Sequence, residues 1–115
     1  PERLTERYDV EKIRLRPDSN EHALHLVEII ESLRPGGLVF HLLAHTPSSD
    51  SELFVVLIDD QSVLSFELPK PEGAPEDITH YTFDEYRREI GQGRSRILLD
   101  RAAQAARDIA SASRS

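Results

Sequence analysis

Six consecutive apolar residues, Leu53-Phe54-Val55-Val56-Leu57-Ile58, run into Asp59-Asp60-Gln61 and emerge as the alternating stretch Ser62-Val63-Leu64-Ser65-Phe66-Glu67-Leu68. A short run apolar on both faces is a strand that needs cover on both sides. Its alternating partner, with Leu64, Phe66 and Leu68 on one side and Ser65 and Glu67 on the other, needs cover on only one. The pair predicts a β-hairpin turning at Asp59-Asp60-Gln61, and therefore a sheet core.

The flanking segments supply the rest of that core. Residues 9–16 predict an edge strand with Ile13 and Leu15 inward and Lys12, Arg14 and Arg16 outward, stopped by Pro17. Asp18 followed by Glu21 has the form of a capping box. It opens a helix to about Arg34 with Ala23, Leu26, Val27, Ile30 and Leu33 on its buried stripe, closed by Pro35-Gly36-Gly37. Residues 38–46 predict a strand with Leu38, Phe40, Leu42 and Ala44 on one face and Val39, His41, Leu43 and His45 on the other. After the hairpin, the proline-rich acidic residues 69–77 predict a surface loop or lid. Thr82 and Glu85 form a second capping box, with Tyr81 and Tyr86 at the spacing of a hydrophobic staple, so a helix begins at Phe83 and ends at Gly91 and Gly93. A last helix over residues 95–112 carries Leu98, Ala102, Ala105 and Ile109 on one stripe, with Leu99, Ala103 and Ala106 beside it and a fraying tail at 111–115. The expected architecture is one α+β domain of 115 residues. It is a two-layer sandwich in the order β-α-β-β-β-α-α, with a mainly antiparallel four-stranded sheet covered by helices.

Charge is distributed unevenly. The chain carries a net charge of -7, with 7 Lys/Arg against 18 Asp/Glu in residues 1–85 and 7 Arg against 3 Asp/Glu in residues 86–115. An acidic body discourages contact with nucleic acid or anionic membranes and steers association toward a basic protein; the C-terminal arginines neutralise that body or meet an anion. The apolar run is far shorter than the roughly 20 residues of a membrane helix, and residues 1–15 hold Glu2, Arg3, Glu6, Arg7, Asp9 and Glu11 with no apolar block of a secretory signal. A cytoplasmic location is the default. With no cysteine, disulfides and thiolate metal sites are excluded.

Several constellations bear on chemistry. His22 and His25 sit three apart on the first helix, and His41 and His45 on one face of a strand. Four residues along a strand span roughly 13 Å, too far to share one zinc. His25 shares its stripe with Glu21, Glu28 and Ser32, the mark of a solvated face, so no metal site is assigned. Asp59, Asp60, Glu67 and Lys70 bear a loose likeness to the carboxylate and lysine set of restriction-endonuclease-like nucleases. The spacing Glu67-Leu68-Pro69-Lys70 is one residue too long, and the aspartates fall at a hairpin tip, so an ordinary turn is the better account. Arg87, Arg88, Arg94, Ser95 and Arg96 flank Gly91-Gln92-Gly93 at the start of the last helix, a place where backbone N–H groups favour an anion. No serine elbow supports a nucleophilic triad.

What remains is a small acidic protein-binding module, of inhibitor or immunity type or an accessory protein, with no cofactor. Its partner is a basic protein or a second copy meeting through the first strand or the alanine-rich helix. The expected contact residues are Asp50, Glu52, Asp59, Asp60, Glu72, Glu76 and Asp77. The alternative is a phosphate- or nucleotide-binding domain or a metal-dependent hydrolase.

Overall fold

The apolar run and its alternating partner pair as the pattern predicts. A computed structural model describes residues 10–71 and 73–114. In it, β1 (Phe40–Pro47), β2 (Ser51–Ile58), β3 (Ser62–Pro69) and β4 (Glu76–Thr82) form one antiparallel sheet whose spatial order is their chain order. Phe54 lies opposite Phe66, and Ile58 opposite Ser62, across the central hairpin. Helix α1 (Glu21–Leu33) precedes the sheet, and α2 (Phe83–Ile90) and α3 (Arg94–Arg114) follow it.

The sheet is covered on both faces, as the two-sided β2 requires. On one face Phe40, Phe54, Val56, Ile58, Leu64 and Phe66 pack against Leu26, Val27 and Ile30 of α1. On the other, Val55, Leu57 and Val63 pack against Leu99, Ala102 and Ala103 of α3, with Phe83, Tyr86 and Ile90 at its margin. The buried stripe of α3 is thus Leu99, Ala102, Ala103 and Ala106, and its short side chains bring the helix backbone close to the sheet. Helix α2 starts as its sequence dictates: Glu85 N donates to Thr82 Oγ1 at 3.1 Å, Thr82 N donates to Glu85 Oε1 at 2.8 Å, and the Tyr81 and Tyr86 rings meet edge-on at 5.3 Å.

The α+β sandwich stands, and four local features differ from expectation. Asn20 caps α1 in place of Asp18, its Oδ1 accepting from Ala23 N at 2.8 Å. Instead of a full strand over residues 9–16, Val10–Lys12 form a 3-10 turn and the following residues meet the edge of β1 at one bridge, Arg14 opposite His41. Leu15 N donates to Phe40 O and Leu42 N to Ile13 O, both at 2.8 Å, so the segment still lies along the edge where an initial strand was expected. The fourth regular strand is β4, and it takes Glu76 and Asp77 out of the expected loop. Finally, a bulge between Leu42 and Ala44 shifts the register of β1. His41 and His45 therefore do not share a face: His41 lies opposite Leu57, on the α3 side, and His45 opposite Phe54, on the α1 side.

Candidate functional site

The antiparallel register sorts the expected contact residues to opposite ends of the sheet, roughly 23 Å apart along an eight-residue strand. Asp59 and Asp60 are at the hairpin tip. Asp50, Glu52, Glu76 and Asp77 are at the other end, where β2 and β4 begin and β3 finishes. Glu72 lies outside the described residues.

At the tip the carboxylates are engaged internally. Asp59 adopts a left-handed conformation, φ 55°, and its Oδ1 accepts from Leu38 N at 3.1 Å and Val39 N at 2.8 Å, pinning the start of β1 to the turn. Asp60 meets Arg107 of α3 at 3.4 Å. Next to this pair, a cleft of about 310 Å3 opens between the tip and the end of α3, bordered by Leu38, Ile109 and Ala110.

At the opposite end the charges are less balanced. Glu67 lies opposite Glu76 across β3 and β4. A carboxyl hydrogen bond to Asp77, partial desolvation and the charges of Asp77 and Glu76 together push the Glu67 carboxyl above its ordinary range. None of the ion pairs formed among the described residues involves Glu67, Glu76 or Asp77. Asp77 itself has φ 51°, at the irregularity where the β3–β4 register shifts between Ser65 and Glu67. The sequence pattern places Glu67 on the polar face of β3, and only the pairing with β4 brings it to Asp77. Glu52, one strand over, is held by His45, Nε2 to Oε1 at 2.7 Å, and the His45 ring stacks on Phe54 with centroids 4.7 Å apart. Asp50 is exposed in the adjoining turn, where its carbonyl accepts from Lys70 N at 2.8 Å.

The histidines and arginines are also placed. His22 and His25 border a cleft of about 280 Å3 with Glu52 and Lys70. Among the described residues no group of three or more histidine, aspartate or glutamate side chains is arranged to hold a metal ion. The five residues expected to bind an anion are engaged in different ways. Arg87 grips Asp100 with two bonds, 2.8 Å and 2.9 Å, and this hydrogen-bonded guanidinium holds the Asp100 carboxyl below its ordinary range. Arg96 donates from Nη2 to the carbonyl of Arg87 at 2.9 Å. Arg88 shares a shallow groove with His80, Tyr81, Glu85 and Glu89, while Arg94 and Ser95 are exposed at the start of α3.

Comparison of the chain with protein-family models, with curated proteins and with solved structures finds no match. Among the described residues, no helix is long and apolar enough to cross a membrane.

Proposed function

We propose that the chain is a protein-binding module, an inhibitor, immunity-type or accessory protein, that engages a basic partner through the end of the sheet where Glu67, Glu76 and Asp77 converge. The observation that carries the reading is the placement of Glu67 opposite Glu76, with Asp77 next in the chain and no ion pair to any of the three among the described residues, a local excess of negative charge that a lysine or arginine of a partner would relieve. Asp50 lies at the same end and extends the acidic surface toward β2. The net charge of -7 adds long-range steering toward such a partner. The tip residues Asp59 and Asp60 have smaller parts in this reading, because backbone amides and Arg107 already occupy them.

The test is affinity capture from the native lysate at low and moderate salt, with the native chain and a Glu67→Gln/Glu76→Gln/Asp77→Asn variant as baits. The expected result is one basic protein, recovered in stoichiometric amount by the native bait, reduced by salt and lost with the variant. Equal recovery by both baits would move the contact elsewhere on the molecule.

A further inference from the structure

The sheet has two edges, and they are finished differently. The outer side of β1 is bridged at Phe40 and Leu42 by the segment containing Ile13 and Leu15. The outer side of β4 has no strand beside it among the described residues. Every residue of β4 is exposed except the half-buried Tyr81, and Ile78 presents 41% of its surface to solvent.

Edges left open in this way are usually blunted by lysine, proline, a bulge or a covering loop. β4 has its irregularity only at its beginning, beside Asp77. From Thr79 to Thr82 it runs in unbroken register with Ser65 to Ser62. With Ile78 just before it, the sequence is Ile78-Thr79-His80-Tyr81-Thr82, rich in β-branched and aromatic residues and free of lysine and proline. Such a strand offers a row of backbone donors and acceptors to another chain.

Charge selects among the occupants. Glu76 and Asp77 lie at one end of the edge, and the groove beside the other end holds Glu85 and Glu89 with Arg88. A second copy pairing antiparallel through β4 would bring its own Glu76 and Asp77 to the groove where Glu85 and Glu89 outnumber Arg88, in a chain already at -7. Of the two elements expected to support self-association, the first segment uses Ile13 and Leu15 to pair with the edge of β1, and the last helix buries its Ala102, Ala103 and Ala106.

Resting on the proposed function, we infer that β4 receives an extended basic segment of the partner as a fifth strand, with lysine or arginine side chains beside Glu76 and Asp77. Backbone pairing along residues 78–82 supplies the alignment, and the carboxylates select the charge.

The probe is a capped seven-residue peptide alternating lysine with valine or threonine, and the control is the same peptide N-methylated at alternate amides, so that charge is kept and one hydrogen-bonding edge is lost. Binding is read by fluorescence anisotropy at low salt, and the site by hydrogen exchange of the β4 amides. The expected result is protection at residues 78–82, roughly tenfold weaker binding of the methylated peptide, and loss of affinity in Glu76→Gln/Asp77→Asn. Equal binding of both peptides that still depends on Glu76 and Asp77 would overturn strand addition and leave the acidic contact standing. Failure of both peptides to bind would overturn both readings. Protection of β4 that grows with protein concentration alone would assign the edge to a second copy and overturn the inference.

Discussion

His41 is the most exacting residue in the core. It is fully buried, and neither ring nitrogen has a hydrogen-bond partner. Burial, and then the charge of Arg14, lowers its pKa from 6.5 to about 4, with Glu11 acting in the opposite sense. In the unfolded chain the imidazole takes up a proton near its ordinary value, whereas in the folded protein it does so only near 4. The stability its neutral form permits is therefore complete above pH 6.5 and is lost as the pH falls toward 4, by roughly 3 kcal/mol over the window. Urea denaturation from pH 7.5 to 4.5 should show this loss in the native protein and a shallower slope in His41→Phe. Parallel slopes would assign the acid sensitivity to other groups. The sequence places a histidine on β1, but the bulge that separates it from His45 falls in Leu42-Leu43-Ala44, where no glycine or other local signal marks it. Asp59 was legible as a turn residue; its two amide partners, twenty-one and twenty positions back, were not. Asp59→Ala removes the acceptor and leaves a β-carbon in the left-handed region, and a loss of about 1–3 kcal/mol is expected in the urea midpoint. Asp59→Asn, which keeps the acceptor, should lose less.

Among the elements, legibility follows how much of each one's stability is local or strongly patterned. The start of α2 was readable to the residue because it is written in Tyr81, Thr82, Glu85 and Tyr86, all close together in the chain. β2 and β3 were readable because burial imposes an apolar pattern on them. β4 was missed for the opposite reason. It pairs on one side only and is almost wholly exposed, so little hydrophobic alternation is required of it, and its first two residues are acidic and follow a proline-rich stretch. α3 was placed correctly, but the stripe it buries is centred on Leu99, Ala102, Ala103 and Ala106, since a helix rich in alanine gives several faces of similar apolarity. Ala103→Leu, forced between α3 and the sheet, should cost about 1–3 kcal/mol and lower the melting temperature. A fully stable variant would show that α3 can move away from the sheet.

For the whole molecule, charge is the property that sequence described and the fold rearranged. Within the arginine-rich C-terminal part, Arg107 pairs with Asp60 of the acidic body, while Arg87 grips Asp100 and Arg96 donates to the Arg87 carbonyl. The described acidic residues between positions 50 and 77 become two groups, and which of them carries excess charge depends on β3–β4 pairing. Asp77→Asn removes one like charge from Glu67 while keeping a residue tolerant of left-handed backbone. It should raise the melting temperature at low salt, with the gain shrinking as salt is added. An unchanged melting temperature would mean that the three carboxylates are already screened.

The meander has a bearing on how the chain assembles. Because the strands lie in space in the order they occur in the chain, each pairs with the one before it and only short loops have to close. The three strands β1–β3 can therefore pair with one another without β4. The last strand pairs on one side only and is almost wholly exposed, so its amide hydrogens are expected to exchange before those of β2 and β3.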